Sequence, residues 1–169
     1  MTTASLPLPR PVNAGVRIAA TSAIVALLDA LFAIVLYVVI MHVTTPARIF
    51  QSIASSLLGR ASFDGGAQTV ALGLLIHISV ATGWTLVFAG ALRALEPVGR
   101  VVSSTRGALM VGAMYGLVIW VMMDLVLIPL TRGRPTPISA WTFWATLAWH
   151  VVGVGPPIVL GLRRNQAFV

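Results

Sequence analysis

The sequence predicts an all-α polytopic membrane protein: a four-helix bundle of transmembrane helices with a short interfacial helix in its first outer loop. Three observations carry that expectation. Only 9% of the residues are charged and 58% are hydrophobic, with a mean hydropathy of +0.96, whereas soluble chains carry about 25% charged residues. Four stretches, 16–43, 67–92, 108–130 and 141–162, reach the roughly 20 apolar residues needed to cross a hydrocarbon core of about 30 Å. The basic residues, all arginines, gather at the ends of these stretches rather than within them. Lipid cannot satisfy the unpaired backbone groups of an open sheet, so helices are the remaining solution.

Residues 1–15 form an N-terminal tail, 16–164 a single bundle and 165–169 a C-terminal tail. The stretch "MTTASLPLPRPVN" is rich in Pro and Thr and should be extended or disordered unless a partner chain or the protein's own loops hold it. The first apolar stretch is far longer than the 7–15 residues of a signal-peptide core and no small-x-small site follows it, which makes it a retained span.

The first loop begins with Thr45 as a helix N-cap and Pro46 at the first helical position. Ile49, Phe50, Ile53 and Leu57 then fall on one helical face, with Gln51, Ser52, Ser55 and Ser56 on the other and Gly59 as the stop. Such a helix either lies flat at the outer interface or tucks over the bundle mouth. Asp64, in the turn after it, reads as a solvated loop acid. In the second loop Pro97 and Gly99 act as breakers, giving a short polar connection between antiparallel neighbours. Pro129 should terminate the third span, and Ser139 should cap the fourth. Trp141 and Trp144 suit an aromatic belt, whereas Trp149 is deep enough to pack against a neighbour.

Small residues mark where helices can approach closely. Ala108, Gly112 and Gly116 repeat every four residues along the third span, a ridge suited to helix–helix contact. Gly153, Pro157 and Gly161 make a similar face on the fourth, and the Pro156-Pro157 pair should bend it. Whether these ridges meet helices of this chain or of another is open from the sequence alone.

Titratable residues at membrane depth are the strongest functional clue. Asp29 lies near the middle of the first span. His77 is about ten residues into the second, His150 about nine into the fourth and Asp124 about six from the end of the third. His42 sits at the rim. If they face inward, Asp29, His77, Asp124 and His150 form one polar cluster. Three readings compete for it. In the first, histidines and carboxylates are hydrogen-bonded ties between helices, with Asp124 linked to His77 and His150. In the second, His77 and His150 are axial ligands of a haem at one depth. In the third, the four residues line a path for protons, ions or small solutes.

No P-loop, nucleophile elbow, zinc-protease or dinucleotide motif is present, and without cysteine there is no disulfide or thiolate metal site. The net charge of +7 does not point to nucleic acid, because span-end arginines answer to lipid headgroups. Arg10, Arg17, Arg93, Arg100, Arg106, Arg163 and Arg164 fall on one side and Arg48, Arg60, Arg132 and Arg134 on the other, which predicts cytoplasmic termini.

The stretches "TPARIFQSIASSLLGRASFDGGAQTVALGLLIH" and "GALMVGAMYGLVIWVMMDLVLIPL" resemble a group of small, uncharacterised four-span proteins of the bacterial inner membrane. The resemblance covers Pro46 to Arg164. It implies a four-helix bundle with the loop helix, and brings no activity, cofactor or catalytic residue with it. The expected function is a non-enzymatic accessory subunit among other membrane chains, as in a respiratory or photosynthetic complex. The alternative is a small channel or transporter.

Overall fold

In the computed structural model, residues 13–132 and 140–163 are described. Four helices are long and apolar enough to cross a membrane, and they lie at α1 (Ala14–Ile40), α3 (Gly66–Ala94), α5 (Thr105–Thr131) and α6 (Trp141–Leu162). Two shorter helices, α2 (Pro46–Leu58) and α4 (Glu96–Val102), join them. Among the described residues there is no strand. The chain is an integral membrane protein of all-α class.

Local chemistry sets the helix ends. The Asn13 side chain accepts from the Gly15 N–H at 2.8 Å and starts α1. The Thr45 hydroxyl accepts from the Arg48 N–H at 3.3 Å and starts α2. Gly59, at φ +58°, ends α2 in a conformation that favours glycine. Ser104 caps α5 through the Gly107 N–H at 3.0 Å. The cap of α6 is Ala140, without a side-chain bond; Ser139, expected in that role, lies outside the described residues, as does the tail 1–12.

Two expectations about proline are corrected. The second loop is not an irregular connection: α4 forms there because Pro97 sits in the first turn, where its missing N–H has no helical partner to lose. Nor does Pro129 end the third span, since helix continues on both sides of it. A π-helical turn, Val121–Leu127, precedes it. A proline ring clashes with the carbonyl four residues back, and a wider turn moves that carbonyl aside. The same solution recurs in α6, where π-helical His150–Val154 precedes Pro156-Pro157. A third π turn, Ile34–Ile40 at the end of α1, has no proline behind it, and nothing in the structure explains it.

The second half of α6 is the centre of the bundle. Ile158 and Val159 are fully buried there, with Val25 and Ala26 of α1, Phe88 of α3 and Ala108 and Ile119 of α5 in the same core. The helices α1 and α5 both pack on α6, while α3 packs on α1. The α3–α5 join is aromatic: Tyr115 donates to the Trp84 carbonyl at 2.6 Å and its ring lies 5.0 Å from that of Phe88.

The α5 ridge is consumed inside this chain. A Cβ on Gly116 would lie 2.0 Å from the His150 carbonyl oxygen, and one on Gly112 would lie 2.6 Å from Pro156 Cα. Gly155 completes the seam, its Cβ position falling 2.0 Å from the Gly112 oxygen. Gly161 makes room for the Thr21 side chain of α1. Gly153 differs from the expectation, because the space it leaves is filled by the Trp149 indole of its own helix rather than by another span. At the terminus-bearing end, the Arg17 guanidinium donates to the carbonyls of Gly161, at 3.1 Å, and Arg163. Arg163 in turn donates to Thr105 Oγ1 at 3.1 Å. These bonds place positive charge on the free carbonyls at the end of α6.

Candidate functional site: the polar interior of the spans

The first helix carries an inward stripe. Ser22, Val25, Ala26 and Leu36 are each no more than 4% exposed, and the half-buried Asp29 and Phe32 fall between them at helical spacing. Asp29 is bracketed on this stripe. One turn before it, the Ala26 carbonyl accepts a bond from His77 Nε2 at 2.9 Å. One turn after it, the Phe32 ring stacks on Trp149, with centroids 4.7 Å apart and planes at 2°. The carboxylate therefore lies between α1, α3 and α6. Among the described residues no hydrogen bond or ion pair reaches it.

His77 works as a tie between spans. A carbonyl oxygen has no proton to give, so Nε2 is the protonated nitrogen in this bond. The edge of Phe50 from α2 rests against the ring, 6.3 Å between centroids at 69°. His150 bonds within its own helix, Nδ1 to the Thr146 carbonyl at 2.8 Å, so its Nδ1 is protonated by the same argument. The Thr146 hydroxyl is held by Trp120 Nε1 at 3.1 Å. These bonds do not fit a haem bridging the two histidines, because the Nε2 of His77 has no lone pair to offer iron. Nor do three His, Asp or Glu side chains converge as a metal site among the described residues.

Asp124 lies in a different setting from the two histidines. The histidine bonds described above go to main-chain carbonyls, while Asp124 lies half-buried in the π turn Val121–Leu127. That turn contains no fully buried residue, and Met123 is the member of it that packs against the core. The structure thus brings His77 within one helical turn of Asp29 along α1 and puts Asp124 on a segment without a fully buried residue. His42 is exposed beyond α1, at φ +54°. Asp64 is exposed in its turn, as the sequence predicts.

The loop helix tucks against the bundle with its faces reversed. Its buried residues are Gln51 and Ala54, whereas Leu57 is 70% exposed. Ile49, Phe50 and Ile53 are half-buried. In lipid the apolar face can look outward, and the small or polar face packs on protein. Gln51 Nε2 donates to the Gly66 carbonyl and to Thr69 Oγ1, both at 3.4 Å. The α2 backbone approaches so closely that a Cβ on Gly73 would collide with the Phe50 carbonyl at 1.8 Å. Gln51, Phe32 and the Arg17–Arg163 clamp escape sequence reasoning. A glutamine on an amphipathic helix looks solvated until the environment outside the helix is known to be lipid.

No protein-family profile, curated protein or solved structure matches this chain.

Proposed function

We propose that this protein is a non-enzymatic accessory subunit that docks laterally against other membrane chains, as in a respiratory or photosynthetic assembly of a bacterial inner membrane. One observation supports the reading above the others. Among the described residues, none of the seven in Val121–Leu127 is fully buried. Val121, Met122, Leu125 and Leu127 form an open apolar face on it, on which a helix from a neighbouring chain can pack. Gentle extraction from native membranes, followed by a native gel with identification of comigrating chains, tests this. A large particle with defined companions is the expected result, and a particle no larger than a small homo-oligomer defeats the proposal.

A second reading, a small channel or transporter, is favoured by Asp29 on the inward stripe. It requires flux in proteoliposomes that Asp29→Asn abolishes, and lack of flux in the parent protein ends it. For the orientation, cytoplasmic termini follow from the arginine bias. The chain has no cysteine, so single cysteines placed at Ser103 and Ser56 report the two sides directly with an impermeant thiol reagent.

A further inference from the structure

Among the described residues no counter-charge reaches the Asp29 carboxylate. Every described arginine lies at a span end or in a connecting helix or loop, and none is bonded to Asp29. The polar groups that face this level from neighbouring helices are His77 on α3 and, beside Trp149, His150 on α6. Both histidines already bond to carbonyls. A bare carboxylate inside hydrocarbon is among the most costly arrangements a membrane protein can hold.

The surroundings select the kind of cation that can remedy this. An alkali or alkaline-earth ion needs several oxygen ligands, and no cluster of acids and histidines surrounds Asp29 among the described residues. What flanks it instead is aromatic and apolar. Phe32 and Trp149 form a flat stack one turn to one side, and His77 with the Phe50 edge lies one turn to the other. Each wall is about 5 Å along the helix axis from Asp29. Asp29 and Phe32 remain half-buried where the rest of their stripe is closed, so the stripe is accessible at the acid.

We propose that Asp29 is the anchoring group of a binding site for a lipophilic organic cation, seated between α1, α3 and α6. The positive centre pairs with the carboxylate. The apolar substituents lie against Phe32 and Phe50 and against lipid, gaining the burial and ring contacts that such cations favour. The site stands independently of the docking proposal, because it uses α1, α3 and α6 rather than Val121–Leu127.

Equilibrium binding of radiolabelled tetraphenylphosphonium to the purified full chain in lipid nanodiscs tests it. Wild type should bind saturably. Asp64→Asn, which neutralises an exposed loop acid, should leave affinity unchanged, and Asp29→Glu should retain binding. Asp29→Asn should weaken it by about thirtyfold or more, the effect of removing one partner of a buried charge pair. Absence of saturable binding in wild type, or equal binding by Asp29→Asn, overturns the proposal. Should Asp29→Asn fail to fold, labelling of wild-type Asp29 by dicyclohexylcarbodiimide decides instead. Protection by tetraphenylphosphonium supports the site, and labelling that the cation does not slow means that the occupant is a proton and the proposal fails.

Discussion

The two ends of this bundle are built differently. At the terminus-bearing end, α5 and α6 touch backbone to backbone through Gly112, Gly116 and Gly155, and the Arg17–Arg163 clamp ties α1 and α5 to α6. At the opposite end contact is through side chains: Val121–Leu127 has no fully buried residue, Trp120 meets Phe143, and α2 packs against α3. Sequence accounts for the contrast. Between Leu117 and Thr131 in α5, between Arg17 and Ile40 in α1 and between Trp141 and Val152 in α6 there is no glycine. Lipid tails are as apolar as leucine, so helices in a membrane gain little by hiding apolar surface from one another, and close approach depends on small residues. Where glycines stop, backbone contact gives way to side-chain contact, as between the buried Trp120 and Phe143 with ring centroids 4.7 Å apart. Backbone approach recurs at the far end where a glycine returns, α2 meeting α3 at Gly73.

If that reasoning holds, the largest effect of any single substitution falls on the glycine seam. Gly116→Leu forces a side chain into the space of the His150 carbonyl, 2.0 Å from the first carbon added. Neither backbone can yield without parting α5 from α6. The expected cost is about 3 kcal/mol, at the upper end for overpacking. Unfolding in mixed micelles should show it as a collapse of stability, and a change below about 1 kcal/mol would mean that the seam is not the main lock. Gly73→Leu is the matching change at the far end, with an expected cost of about 2 kcal/mol. Its effect should be local: α2 detaches from α3, and limited proteolysis should cut between Thr44 and Gly66 while the α5–α6 seam keeps its protection. Uniform loss of protection would break the comparison.

How much of this was legible beforehand follows from the same physics. Span number and the loop helix, with its Thr45 start and Gly59 stop, are written in hydropathy and capping residues, which act locally. The ridge of Ala108, Gly112 and Gly116 was visible as a pattern, but its partner was not, because a small face is equally suited to a helix of any chain. Pro129 misleads for a related reason: a proline reports a lost donor and a clash, and only the structure shows the π turn that absorbs both. The sequence assigns His77 and His150 to the second and fourth spans, where the structure has them. Their partners were illegible because main-chain carbonyls, which every residue carries, leave no signature in the sequence.

Smaller changes probe single ties. Arg17→Ala removes two bonds to the exposed carbonyls that end α6 and should cost about 1 kcal/mol. Because it acts at the terminus-bearing end, the loss should appear as faster hydrogen exchange at Leu162 and Arg163, with none near Gln51. Tyr115→Phe keeps the ring contacts with Trp84 and Phe88 and removes only the hydroxyl bond to the Trp84 carbonyl. Intramembrane hydrogen bonds average about 0.6 kcal/mol, and that is the expected loss. A cost above about 2 kcal/mol would show that the α3–α5 join relies on that bond rather than on ring packing.

The smallest effect belongs to the open segment, and it is the sharpest check on the contrast between the ends. Met122 and Leu125 are 38% and 44% exposed. In the folded chain their side chains meet lipid, and in a state where the spans have separated they still meet lipid. Truncating them changes little that differs between the two states, so Met122→Ala and Leu125→Ala should each shift stability by less than about 0.5 kcal/mol. Ile158→Ala, at 0% exposed in the core, should cost about 2 kcal/mol or more in the same assay, because the hole it leaves opens only on folding. The two measurements also bear on the docking proposal. In the purified chain Leu125→Ala should be silent, whereas in the native particle it should loosen whatever helix rests on Val121–Leu127. A large loss in the purified chain would show that this segment is already packed on its own bundle, and no neighbour would then be needed to cover it.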